Sequence, residues 1–97
     1  MIARIVSIHV PEGKADETQK IWKSQWGPLI VQQPGCLSHL FMRNHDDPKR
    51  FISLSLWAHR HAIEQFVASP AREEIRQNTR VAMEAVKVDT EIYDIVH

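Results

Sequence analysis

The sequence predicts an α+β fold of two layers, an antiparallel four-stranded sheet with its helices on one side. Three observations predict it. Four segments, 2–10, 36–44, 50–57 and 91–96, alternate with the two-residue period of a strand. The regions between them, 14–33 and 59–86, repeat apolar side chains at helical spacing, so the order is β-α-β-β-α-β. The link between the second and third strands, His45-Asp46-Asp47-Pro48-Lys49, is a polar turn of the kind that joins antiparallel neighbours.

In the first strand Ile2, Val6, Ile8 and Val10 share one face, and Ala3, Ile5, Ser7 and His9 the other. Pro11-Glu12-Gly13 ends it. The first helical region places Ala15, Thr18, Trp22, Trp26, Leu29 and Ile30 on one stripe, with Asp16 and Glu17 in the first turn, where the helix dipole favours acids. Gly27-Pro28 predicts a kink and Pro34-Gly35 a stop. The second strand sets Leu37, His39 and Phe41 against Ser38, Leu40 and Met42. The third, Phe51-Ile52-Ser53-Leu54-Ser55-Leu56-Trp57, carries no charge on either face, which puts it in mid-sheet, covered on both sides. Its uniformly apolar positions Ile52, Leu54 and Leu56 suit the face under the helices. Phe51, Ser53, Ser55 and Trp57 then look onto a second cover or a cavity. Next come a short helix over 59–68 and another opened by Ser69-Pro70, a hydroxyl at the N-cap and proline at N1. Ala71, Ile75, Thr79, Ala82 and Val86 extend that helical spacing up to the last strand. This order folds most simply as a ferredoxin-like sandwich with the first and third strands central. An apolar sheet face without a helix marks an interface, so the sheet predicts a homodimer packed face to face.

The 97 residues are expected to form one domain, 1–97. Twelve basic and twelve acidic side chains balance, so there is no basic footprint for nucleic acid and no polybasic membrane contact. No apolar run is long enough to span a bilayer, and the alternating N-terminus lacks the layout of a signal peptide. Cys36 is the single cysteine, which excludes an internal disulfide and makes the cytoplasm the expected compartment.

Four stretches carry a resemblance across essentially the whole chain: Val10-Pro11-Glu12-Gly13-Lys14-Ala15-Asp16, Gln33-Pro34-Gly35-Cys36-Leu37, Ile52-Ser53-Leu54-Ser55-Leu56-Trp57, and Ala62-Ile63-Glu64 with Ser69-Pro70. In these the sequence resembles the antibiotic biosynthesis monooxygenase domains of the dimeric α+β barrel superfamily. The resemblance implies a homodimer and, for one branch, oxidation of quinols or anthrones by O₂ without a cofactor or metal. It also includes a haem-degrading branch and members of unknown role. The haem branch uses an Asn, a Trp and a His where this chain has Val6 (or Ser7), Phe66 and Arg76, so haem is the runner-up; an isomerase or lyase of a small carbonyl compound and a non-catalytic ligand-binding dimer are the other readings.

Oxidation of a small hydroxylated aromatic asks for a flat apolar pocket, a base near neutral pH and donors for the substrate oxygens. Histidine has the right unperturbed pKa. His9 is the expected base, with Trp57 as a second catalytic residue whose indole N–H holds a substrate oxygen. Ser7, His39, Phe41, Ser53 and Phe66 are the expected substrate-binding side chains, and Trp22 and Trp26 supply further aromatic wall. This grouping assumes that Ser7, His9, Ser53, Ser55 and Trp57 share one sheet face. The competing reading makes that face a packed dimer interface and the aromatic stripe ordinary core; alternation alone leaves open which side of the sheet holds a cavity. His59-Arg60-His61 reads as a solvated helix start rather than a zinc site, and Arg72, Arg76 and Arg80, with Glu73 and Glu74 near, as a mixed solvated face.

Overall fold

The computed structural model describes residues 1–97. Strands β1 (Ile2–His9), β2 (Cys36–Arg43), β3 (Arg50–Trp57) and β4 (Lys87–Asp94) form one antiparallel sheet in the order β2-β3-β1-β4. The predicted central pair is therefore present, and the architecture is the ferredoxin-like one. Helices α1 (Ala15–Ile21), α2 (Gly27–Val31), α3 (Arg60–Val67) and α4 (Pro70–Thr79) accompany it.

Between α1 and α2 the predicted kink takes the form of a π-helical segment, Trp22–Trp26, in which the Gly27 N–H bonds the Trp22 carbonyl. Pro28 has no N–H to offer the carbonyl four residues back and its ring crowds that carbonyl; a wider turn just before it accommodates both faults without ending the helix. The Ser69 cap is as expected: its Oγ accepts the Arg72 N–H at 3.2 Å and donates to the Phe66 carbonyl at 2.8 Å. His59 caps α3, its Nδ1 accepting the Ala62 N–H at 3.2 Å, which accounts for the His59-Arg60-His61 stretch.

The boundaries of α4 and β4 differ most from the sequence prediction, β4 ending at Asp94 rather than 96. Helix α4 stops at Thr79, and the chain turns through 80–85, with Ala85 at φ +66°, before β4. β4 begins at Lys87 rather than 91, because β1 offers an open edge along its full length and pairs it from His9↔Lys87 to Ile2↔Asp94. Backbone pairing overrides the weak alternation of 87–90.

The largest difference concerns the faces of β3. Ile52, Leu54 and Leu56 do not lie under the helices; Phe51, Ser53, Ser55 and Trp57 do, and all four are buried. The helices present bulky rings, Trp22, Trp26 and Phe66, and a sheet of large side chains beneath them would overfill the layer. Small serines between the two rings make room. Their hydroxyls cost little there because each is hydrogen-bonded: Ser53 Oγ lies 2.8 Å from His39 Nε2, and Ser55 Oγ accepts the Trp57 indole N–H at 2.8 Å. The pairings Val6↔Ser53 and Ser7↔Ile52 then put Ser7 and His9 on the opposite, helix-free face, so the expected grouping of Ser7 and His9 with Ser53, Ser55 and Trp57 does not form. That helix-free face carries Leu40, Met42, Ile52, Leu54, Leu56 and Ile5, with Leu40 58% and Met42 42% exposed.

Candidate functional site

The space between sheet and helices holds a cavity of about 460 Å³, within the range that admits a small organic ligand. Trp22 and Trp26 of the π segment, Ile30, and Phe66 of α3 form its apolar wall. Val6 and Arg4 of β1 form the floor, with Val88 and Thr90 of β4 at one side. Arg72, Arg76 and Thr79 of α4, and Arg80, Met83 and Val86 beyond it, complete the lining. Trp22 and Trp26, four residues apart in this segment, lie on one side of it with their rings stacked at 5.5 Å. The indole N–H groups of both are buried without a protein acceptor.

Arg4 is the residue that the sequence reading missed. It follows the same alternation as Ile2, Val6 and Ile8 and so shares their face, which the structure places under the helices. It is only 8% exposed, yet no carboxylate lies within 4.0 Å of it. Its guanidinium lies 5.7 Å from the Phe66 ring centroid and that of Arg72 lies 5.9 Å from the same centroid, distances at which a cation is attracted to the ring. Burial first, and the charge of Arg72 second, push the Arg4 guanidinium down to about 10, which leaves it cationic at neutral pH. Arg72 is lowered in turn by its own burial and by Arg76, while Glu73 opposes that shift. The arginine ridge of α4 thus borders the cavity rather than bulk water alone, with Arg76 paired to Glu73 at 3.6 Å.

Of the expected catalytic and substrate-binding residues, Phe66 alone lines this cavity, beside Trp22 and Trp26. Trp57 does not reach it. Its ring is fully buried behind Phe66, the two centroids 5.6 Å apart, and its N–H is already donated to Ser55. His9 is exposed and, with Ser7, borders a depression of about 130 Å³ on the helix-free face. His39 and Phe41 border a separate, wider recess of about 650 Å³ between α1–α2 and the β2 edge, and Ser53 is buried behind it. There His39 is bonded to Ser53, Phe41 stacks on Trp22 at 5.0 Å, and burial lowers the His39 pKa. Trp22 borders both spaces and is the wall between them.

Val6, Phe66 and Arg76, the positions aligned with the haem branch, all line the inner cavity. No histidine, cysteine or tyrosine joins them, and Met83 offers the only sulfur, so the donor set does not fit haem.

A four-stranded antiparallel sheet with helices on one side and an aromatic cavity between the layers defines a ferredoxin-like α+β protein. The chain belongs to the antibiotic biosynthesis monooxygenase family, whose sequence model matches residues 1–78. Among curated proteins, none matches the sequence. Among solved structures it is similar to a proposed antibiotic biosynthesis monooxygenase of Deinococcus radiodurans, with TM-score 0.86, 15% identity, and coverage of 100% of this chain and 94% of that one. A proposed monooxygenase of the same kind from Nitrosomonas europaea gives 0.84 at 18% identity, with both chains covered in full. SnoaB, a cofactor-independent oxygenase from Streptomyces nogalater, gives 0.81 at 15% identity over 99% of this chain and 93% of that one. At such identities the likeness is one of fold. No helix is long and apolar enough to cross a membrane.

Proposed function

We propose that this protein is a cofactor-independent monooxygenase of a small hydroxylated aromatic, working as a cytoplasmic homodimer. The observation that carries the reading is a buried, carboxylate-free Arg4 on the floor of an aromatic-walled cavity. A flat substrate fits between Trp22, Trp26 and Phe66, and its hydroxyl oxygen faces the guanidinium. A cation in an apolar site stabilises the ionised form of that hydroxyl. No carboxylate or histidine lines the cavity, so the proton leaves to water at the mouth and the field of Arg4 does the work assigned in sequence to His9.

The resulting electron-rich anion passes one electron to O₂, and the ligand radical and superoxide combine at carbon. The peroxide formed collapses to a carbonyl with loss of water. One oxygen atom enters the product, the other leaves as water, and the substrate supplies both reducing electrons. The protein's tasks are to hold the anion, exclude water from the radical pair, and keep the ring planar against its walls. The homodimer follows from the apolar helix-free face, which a second sheet would cover.

The test is oxygen uptake by the metal-free protein with naphthoquinols and anthrones, followed as kcat/KM against pH. The expected profile rises with an apparent pKa below that of the free substrate. Arg4→Gln returns it toward the free value and lowers activity at neutral pH, whereas His9→Ala leaves the profile in place. A profile that follows His9 and ignores Arg4 would overturn the assignment.

A further inference from the structure

The recess between α1–α2 and the β2 edge, about 650 Å³, is larger than the inner cavity, and the reaction proposed above makes no use of it. Trp22, Phe41, Pro28 and Val31 give it an apolar wall. Its half-buried polar ring is His39. The Ser53 hydroxyl is fully buried, and its one hydrogen-bond partner is His39 Nε2 at 2.8 Å. A buried hydroxyl gives its proton to an acceptor, so Ser53 donates and Nε2 accepts. Burial keeps the imidazole neutral at pH 7, and its own proton therefore sits on Nδ1. That N–H has no acceptor in the chain, yet it is not sealed off, and it borders the open space of the recess. Gly27 leaves room beside it: a Cβ there would lie 3.7 Å from both Nδ1 and Cε1 of His39. At the rim Lys23 has no carboxylate within 4.0 Å, whereas the Arg43 guanidinium is held by Asp16 at 3.2 Å and Gln19 at 3.0 Å. No acidic side chain lines the recess.

We propose that this recess is a second ligand site, which takes a flat aromatic carbonyl compound whose oxygen accepts the His39 Nδ1–H. A single neutral donor set against an apolar wall selects an acceptor carried on a flat ring, and Lys23 at the rim accommodates an acidic substituent. The inner cavity selects a different group, a hydroxyl that ionises beside a buried cation. In the reaction proposed above the peroxide collapses to a carbonyl, so the product gains the acceptor that the recess recognises. Trp22 is the one residue that lines both spaces. The recess is thus placed to hold product beside the cavity in which it forms. That role rests on the monooxygenase reading, whereas the binding site stands or falls without turnover.

The experiment titrates ¹⁵N-labelled protein at pH 7 with fluorenone-2-carboxylate and with fluorene-2-carboxylate, two flat acids that differ in the one carbonyl, and follows both by NMR. In the free protein the His39 ring is expected to show Nδ1 protonated and Nε2 bare. The ketone acid is expected to shift that ring signal and the Gly27 amide saturably. It should bind about fivefold more tightly than the fluorene acid, the return from one added neutral hydrogen bond. His39→Phe keeps an aromatic ring and removes the donor, and Gly27→Ala fills the space beside it. Each brings the ratio of the two affinities, read at the Val31 amide, toward one. Lys23→Gln weakens both acids alike and leaves the ratio in place. Val88 lines only the inner cavity, so its amide reports binding there. Equal affinities in the wild type, a preference that survives both variants, or shifts at Val88 with none at His39 and Gly27 would overturn the proposal. A ketone preference in the recess without oxygen uptake on any quinol would keep the site and remove the monooxygenase reading, and with it the product role. Efficient uptake with no ketone preference in the recess would do the reverse.

Discussion

Gly35→Ala is the most direct probe of how α3, and with it the Phe66 wall, is docked. Gly35 sits at φ +85° just before β2, and its carbonyl accepts the Ala58 N–H at 2.8 Å. A Cβ there would lie 2.6 Å from the Cβ of Ala62, a buried residue in the first turn of α3. Two costs add. The left-handed conformation costs an L-residue about 1–2 kcal/mol. Overpacking adds about 1–3 kcal/mol, because neither methyl can rotate away and the helix itself must shift. The sum, about 2–5 kcal/mol, is a large share of the stability of a domain this size. Urea unfolding measures it, and Gly13→Ala supplies the comparison: Gly13 has φ +82° with nothing within 4 Å, so it carries the conformational cost alone. Combining Gly35→Ala with Ala62→Gly should recover the steric part, less about 1 kcal/mol for glycine in a helix. If Gly35→Ala costs no more than Gly13→Ala, the close approach of α3 to this loop is not a feature of the folded protein.

Two further predictions follow from the same geometry. Burial lowers the pKa of His39, so on acidification the unfolded chain binds its proton first: this contribution is complete above pH ~6.5 and is lost as pH falls toward the depressed folded value. Its slope is at most about 1.4 kcal/mol per pH unit; urea midpoints measured from pH 5 to 7.5 should lose that slope in His39→Gln, and an unchanged slope would refute the assignment. On the helix-free face, Leu40→Glu should convert the proposed dimer into a folded monomer in sedimentation at micromolar concentration, since Leu40 is exposed in the single chain and would be covered by a second sheet in that dimer; a wild type that sediments as a monomer would refute the dimer.

Much of the fold was legible because the relevant signals are local. Ser69-Pro70 announces a helix start through one hydroxyl and one missing N–H, and Pro28 announces a helix fault four residues upstream. The end of α4 was less legible, because Ala82, Met83 and Val86 keep a helical spacing although 80–85 folds as turns, with Met83 and Val86 against the cavity. The site was harder still. Phe66, Trp22 and Trp26 could be read from spacing as either core or pocket wall, and in the structure they are buried and border the cavity. Arg4 went unremarked because a lone charge in an apolar strand looks like a solvated interruption, and its burial depends on α3 and α4, which are far away in sequence.

By itself the sequence determined the element order, the antiparallel pairing of neighbours and the central place of β1 and β3, since these rest on periodicity, turn chemistry and the absence of charge. It could not say which face of β3 the helices cover. A two-residue alternation defines two faces but is symmetric between them, and the apolar count favoured Ile52, Leu54 and Leu56. Tertiary packing decided otherwise: large rings descending from the helices need small partners below, and two serines whose hydroxyls bond His39 and the Trp57 indole N–H satisfy that need. That choice carried Ser7 and His9 away from the cavity and brought Arg4 into it.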